Sequence, residues 1–264
     1  MRPRLKPLEF YSNTVRLKDI LVVLARQGFS EVVRSTGLPQ HWVSSIVREE
    51  SVNLSIWERL RHTLEDLGPT YVKFGQVLSS RPDALPEPAI KEFKGLRTSA
   101  RPLPYAEIEP VLLAQLKVPL EEVFSQFDQT SAASGSMAQV HRARLREGGH
   151  EVAVKIQRPG IRRAIQADIE IISWLATKVH ESIEELRPYD LPELVRATAD
   201  GILQELDFTI EANNAILFNH LNPYGNLIFA PRVYDRYTTE KLTVTDWVTG
   251  RDPGDPTIPA ALGR

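Results

Sequence analysis

The sequence first changes its hydrophobic period close to Leu120, and that change constrains the fold more than any other feature. Before it, apolar residues recur at three- and four-residue intervals, the spacing of one buried helix face. From Arg16 to Thr36 the residues Leu17, Ile20, Leu21, Leu24, Val32 and Val33 keep that spacing until Gly37 and Pro39, which predicts one amphipathic helix. A second is expected from Ser55 through Ile56, Leu60 and Leu64 to Gly68. A third starts with Pro69 in its first turn, where a missing amide is tolerated, and carries Tyr71-Val-Lys-Phe-Gly-Gln76. Pro82, Pro86 and Pro88 interrupt the chain, and Tyr105 to Leu116 reads as a further helix. After Val123 the segments VFSQFDQT, MAQVHRARL and EVAVKIQ alternate as strands do, and Gly148-Gly149 supplies the positive φ angles of a tight hairpin. Two helical segments, Arg158 to Leu186 and Pro192 to Leu221, precede two short strands, Ala230 to Tyr237 and Lys241 to Val248. The expected fold is therefore α+β, with a helical front and a five-stranded antiparallel sheet, and Gly250-Arg-Asp-Pro-Gly-Asp-Pro reads as a linker.

A chain of 264 residues is long enough to bury a sizeable core, and a net charge of -2 argues against nucleic acid as a partner. The absence of cysteine excludes disulfides and thiolate zinc sites, the six histidines lack an HExxH spacing, and no metal is expected. The first residues show no signal peptide, and the longest early apolar run, Ile20 to Ala25, falls far short of the ~20 residues of a transmembrane helix. A cytoplasmic protein is expected. Up to residue 40, Arg2, Arg4, Lys6, Arg16, Lys18, Arg26 and Arg34 outnumber Glu9, Asp19 and Glu31. That excess suits either a solvated helix face or peripheral contact with an anionic membrane or lipid surface.

Three local patterns carry chemistry. Val152-Ala-Val-Lys155 places a compact cation on a strand, as in the strand lysine that contacts nucleotide phosphates in kinases; an ordinary edge-strand lysine reads the same way. Between the first two strands lie Ala132, Ala133, Ser134, Gly135, Ser136, Met137, Ala138, Gln139 and Val140, small enough in part for backbone amides to approach phosphates, or simply a hairpin turn. Glu205, Asp207 and Glu211 fall in a helical stretch where Asp207 and Glu211 are four apart and can share a face, which also describes a solvated acidic surface.

Taken in order, Lys73-Phe-Gly-Gln76, SSRPDALP, SMAQVHRA, VAVKIQRPG and ELDFTIEANN resemble the UbiB-type atypical kinases, the ubiquinone-biosynthesis kinase-like (AarF-like) family, over about residues 56 to 250. The resemblance implies a protein-kinase-like N-lobe at 118–250, a helical region with the KxGQ motif at 56–117, an N-terminal helical extension at 1–55 and a linker at 251–264. It implies ATP as ligand, with Mg2+ only in a full-length protein. Lys155 would hold the α and β phosphates and pair with Glu211. Lys73 and Gln76 fit the KxGQ motif, and Glu205 with Asp207 fit an ExD motif that would meet Lys73. Ala133 to Val140 would form the phosphate loop, and Asp246-Trp-Val248 falls where a hinge would meet adenine, Trp247 being equally readable as a core aromatic.

The sequence departs from the family pattern where Ser134 and Gly135 replace alanines, and where Leu96-Arg-Thr-Ser-Ala-Arg-Pro stands in place of a Leu-Gln-Asp followed by prolines. No catalytic-loop aspartate, downstream asparagine or DFG-type aspartate is recognisable. Two functions remain: the nucleotide-binding part of an ATP-dependent kinase or ATPase serving isoprenoid-quinone or lipid metabolism with its C-lobe missing, or a non-catalytic kinase-like module that docks on a partner or membrane. Without a C-lobe, an apolar surface below the hinge and helix C is expected to drive self-association.

Overall fold

A computed structural model describes residues 7–35, 54–96, 101–225 and 227–250. The expected linker 251–264, the stop at Gly37 and Pro39, and the basic residues Arg2, Arg4 and Lys6 lie outside them. In chain order the described elements are α1 (Pro7–Arg26), α2 (Ser30–Ser35), α3 (Ile56–Leu67), α4 (Pro69–Leu78), α5 (Glu87–Lys94), α6 (Tyr105–Leu116), α7 (Leu120–Val123), β1 (Phe124–Ser134), β2 (Ala138–Leu145), β3 (Glu151–Gln157), α8 (Ile161–Ser182), α9 (Leu191–Gln204), α10 (Phe208–Leu221) and β4 (Leu242–Asp246). Short 3-10 turns occupy Glu184–Tyr189 and Asp235–Tyr237.

The chain divides into two compact units. A helical unit comprises Met1–Arg101, Ser134–Met137 and Arg158–Leu206; a sheet unit comprises Pro102–Ala133, Ala138–Gln157 and Asp207–Arg264.

In the helical unit the single helix expected over 16–36 is two. Gly28 takes φ +80°, which a residue with a side chain adopts only with strain, and α2 begins two residues later. Arg59 of α3 secures this turn, donating to the carbonyls of Gln27 (2.7 Å) and Gly28 (2.6 Å) while its guanidinium lies 4.4 Å from the Phe29 ring. The start of α3 is closed by a capping box, the Ser55 hydroxyl accepting from the Glu58 amide and the Glu58 carboxylate from the Ser55 amide.

Helix α4 is packed on three sides. Tyr71 enters a core with Ile20, Leu24 and Val33 of α1 and α2 and with Ile171 and Leu175 of α8. Val72 joins Ile90, Phe93 and Leu194, and Phe74 joins Ile165, Val195 and Ile202. At the edge of the first core, Asp168 of α8 is nearly buried, accepting from Arg16 Nε at 3.1 Å and from the Tyr71 hydroxyl at 3.4 Å. Arg16 also donates to the Leu67 carbonyl at 2.8 Å, so one of the early basic residues serves an internal contact.

In the sheet unit the strand order is β1-β2-β3-β4, with β2–β3 and β3–β4 antiparallel. Val152, Val154 and Ile156 are buried on one face with Leu242, Val244, Ile108 and Leu112. Alternation puts Glu151, Ala153 and Lys155 on the other face. The sheet has four strands where five were expected. Pro231 cannot donate to a ladder, and the segment around it keeps only one bridge, Val233 to Thr245, flanked by bonds from the Tyr234 amide to Val244 and from the Asp246 amide to Arg232, before Asp235–Tyr237 turns away. The helical segments expected at 158–186 and 192–221 are each interrupted, the second at Glu205–Asp207, where Asp207 becomes the N-cap of α10.

The end of α10 and the segment after it expose a run of apolar side chains: Leu217, Phe218, Leu221, Tyr224, Leu227, Ile228 and Phe229. Around it, Asn219 bonds the Ala230 backbone in both directions at 2.8 Å and Asn222 bonds the Ile228 carbonyl and the Tyr224 amide. Water-exposed apolar area of this extent favours association. The chain should therefore grow in apparent mass with concentration in light scattering, and Leu221→Ser with Leu227→Ser should suppress the growth; a monodisperse wild-type monomer at high concentration would contradict this.

Candidate functional site

Lys155 stands opposite Val140 on β2 and Thr243 on β4. Its ammonium group is hydrogen-bonded to the Glu211 carboxylate of α10 and lies 4.7 Å from the centroid of the Phe208 ring. Helix α10 is fixed for this contact at its first turn. The Asp207 carboxylate accepts from the amide (3.0 Å) and hydroxyl (2.6 Å) of Thr209, and the Phe208 amide donates to the Glu240 carbonyl at 3.1 Å. Asp207 thus acts as a cap and does not share a helix face with Glu211 as the four-residue spacing suggested. The Lys155 side chain is 32% exposed and that of Glu211 64%. An ion pair this open contributes about 0–1 kcal/mol to stability, and both groups remain reachable by a ligand.

In the segment read as the phosphate loop, Ala133 and Ser134 end β1, Gly135, Ser136 and Met137 make the connection, and Ala138, Gln139 and Val140 open β2. Gln139 is fully buried, and its amide is used on the backbone of Leu103, accepting from the amide at 2.6 Å and donating to the carbonyl at 3.3 Å. Within the helical unit Arg158 fastens the connection: Nε donates to the Gly135 carbonyl (2.9 Å) and Nη2 to the Ser134 hydroxyl (2.8 Å) and the Arg101 carbonyl (2.7 Å). Burial holds its guanidinium below the ordinary arginine value. Sequence reasoning missed Arg158, Phe208 and Arg142; the only available signal for the first was its place directly after β3.

The KxGQ residues lie in the helical unit. Lys73 Nζ is 2.8 Å from the Glu205 carboxylate, and Gln76 Nε2 donates to the Leu96 carbonyl at 3.2 Å. Gly75 is required sterically, since a Cβ there would come within 2.2 Å of Leu96 Cδ1 and 2.8 Å of Leu64 Cδ1. Leu96 is buried and cannot simply rotate into solvent. Gly75→Ala should therefore destabilise the chain by about 1–3 kcal/mol through overpacking, measured as a lower urea midpoint at unchanged slope.

At the end of β4 the Asp246 carboxylate accepts from the Tyr234 hydroxyl at 2.8 Å, and burial together with this bond pushes the Tyr234 hydroxyl up to about 12. The Asp246 amide is bonded to Arg232 and the Trp247 amide to Glu151, each at 2.9 Å. Among the described residues the Val248 amide has no backbone partner. Trp247 is half-buried and not a core residue, with the Arg142 guanidinium 5.2 Å from its ring. Among the described residues no group of three His, Cys, Asp or Glu could hold a metal ion.

Residues 95–258 match the model of the ABC1 atypical kinase-like domain. The chain belongs to this UbiB-type family of atypical kinases. It is 33% identical over 255 residues to a probable protein kinase UbiB of Aeromonas salmonicida, covering 93% of this chain and 45% of that one. It is 37% identical over 242 residues to an uncharacterised Clostridium pasteurianum protein encoded in the 5′ region of hydrogenase 1, covering 90% and 42%. A Mycobacterium tuberculosis protein solved in complex with erythromycin is 32% identical, with a TM-score of 0.46, covering 71% of this chain and 46% of that one. The chain spans somewhat less than half the length of these relatives. As an ABC1 domain its α+β fold is kinase-like, with a four-stranded antiparallel sheet. No described helix is long and apolar enough to cross a membrane.

Proposed function

We propose that this ABC1 chain binds ATP, with Lys155 on its phosphates, as the nucleotide-binding part of an atypical kinase or ATPase serving isoprenoid-quinone or other lipid metabolism. The observation that supports this most directly is the Lys155–Glu211 pair, which joins β3 to α10 within one unit and leaves the ammonium group partly exposed. A lysine so held keeps its charge and its direction, the two properties a phosphate contact needs. Ala133, Ala138 and Val140 belong to the same unit as Lys155 and are the loop residues we assign to the nucleotide. The Val248 amide is assigned to the base edge, because the two amides before it already have partners. Lys73, Gln76 and Glu205 are assigned to fixing α4.

The described residues do not by themselves make a magnesium site, and we derive no phosphoryl-transfer step from them. Isothermal titration with ATP and ADP, with and without Mg2+, tests the proposal; absence of binding to both would set it aside. The exposed apolar run from Leu217 to Phe229 favours a second reading, a non-catalytic docking module. That reading expects the Leu221→Ser and Leu227→Ser variant to lose partner or membrane binding while nucleotides have no effect.

A further inference from the structure

The face of the sheet that carries Lys155 is organised in rows across the strands. Val140, Lys155 and Thr243 form one, and Arg142, Ala153 and Thr245 the next. Arg144, opposite Glu151, and Trp247, whose amide bonds the Glu151 carbonyl, continue the pattern. Two residues along a strand span about 6.7 Å. A nucleotide whose phosphates meet Lys155 therefore brings its nucleoside over the second row, where Ala153 is small and Thr245 short. The long side chain in that row is Arg142.

Arg142 is held in place from two directions. Nη2 donates to Glu151 Oε2 at 2.5 Å, and the guanidinium lies over the Trp247 ring. The other Glu151 oxygen accepts from Arg144 at 3.0 Å, and the Glu151 carboxyl lies below the usual carboxylate range because of Arg142 first and then Arg144. Among the described residues one guanidinium nitrogen of Arg142 donates to another side chain, so further N–H groups are available. A planar cation already lying over an indole, with free donors, suits the face of a purine and the oxygen or ring-nitrogen acceptors around it.

We propose that Arg142, oriented by Glu151 and Trp247, recognises the nucleoside half of a purine nucleotide bound at Lys155. This rests on the nucleotide-binding reading above. The test compares affinities for ATP and for inorganic triphosphate, which has the phosphates and no nucleoside, in wild type, Arg142→Ala, Arg142→Lys, Glu151→Gln and Lys155→Ala. Arg142→Ala should weaken ATP about tenfold and leave triphosphate unchanged. Arg142→Lys should not restore ATP affinity, because an ammonium group lacks the planar fork, and Glu151→Gln should have a smaller effect in the same direction. Lys155→Ala should weaken both ligands. Equal loss of ATP and triphosphate affinity in Arg142→Ala would reduce the residue to a general positive charge and overturn the inference, as would unchanged ATP affinity. Failure of wild type to bind either ligand would overturn the nucleotide-binding reading itself, a result distinct from those two.

Discussion

Lys155→Ala is expected to fold like the wild type and to lose the stabilisation that ATP gives. The first half follows from exposure: the Lys155–Glu211 pair is open to water on both sides, so removing the lysine costs at most about 1 kcal/mol and leaves Glu211 hydrated. The second half follows from linkage. A ligand at a hundred times its Kd stabilises the native state by about 2.7 kcal/mol. For a chain of this size that is a rise in Tm of about 5–10 °C. Loss of the phosphate contact should weaken binding at least about tenfold, and at a fixed ATP concentration the rise should shrink accordingly. Thermal shift with and without ATP on both proteins reads this out. An equal rise in the two would remove Lys155 from the site.

Arg16→Ala is expected to destabilise the chain by about 2–3 kcal/mol. Asp168 lies almost entirely inside the helical unit, and without Arg16 it keeps the Tyr71 hydroxyl at a long 3.4 Å. A buried carboxylate deprived of its counter-charge typically costs about 3–5 kcal/mol, and the effect here is smaller because Arg16 is itself partly exposed and its surroundings admit water. The Arg16 guanidinium titrates above its ordinary value: burial lowers it, but the hydrogen bond and charge of Asp168 outweigh burial. The double variant Arg16→Met with Asp168→Leu should recover part of the loss, since an apolar pair needs no counter-charge, while the Tyr71 hydroxyl and the Leu67 carbonyl lose these partners. Chemical denaturation of the three proteins measures both effects, and a single variant within about 0.5 kcal/mol of wild type would show that water reaches Asp168 freely.

Much of the architecture was legible in the sequence because it depends on local signals. The Ser55 cap, Pro69 at the start of α4, the helix from Tyr105 to Leu116 and the Gly148-Gly149 hairpin are each set by residues within one or two turns of one another. Where local signals conflicted, the reading failed. The apolar spacing of Leu24 and Val32 ran across Gly28 and suggested one helix, although the backbone there takes a conformation that ends it. A short strand was expected from Ala230 to Tyr237, but Pro231 removes a donor and the segment keeps a single bridge.

The sequence by itself determined which residues could do chemistry here: a strand lysine in VAVK, acids in ELDFTIE, a KxGQ helix and a loop of small residues, in an order that pointed to the ABC1 family. The resemblance already implied that Glu211 meets Lys155 and Glu205 meets Lys73, and both pairs are present. Only the tertiary structure decided that Asp207 caps α10, that Gln139 holds Leu103 and that Gly75 makes room for Leu64 and Leu96. The physical reason is that hydrogen bonds and ion pairs are short-ranged and directional. Spacing along the chain shows which side chains share a face, whereas a partner 36 residues away, as Leu103 is from Gln139, is chosen only when packing brings the two together.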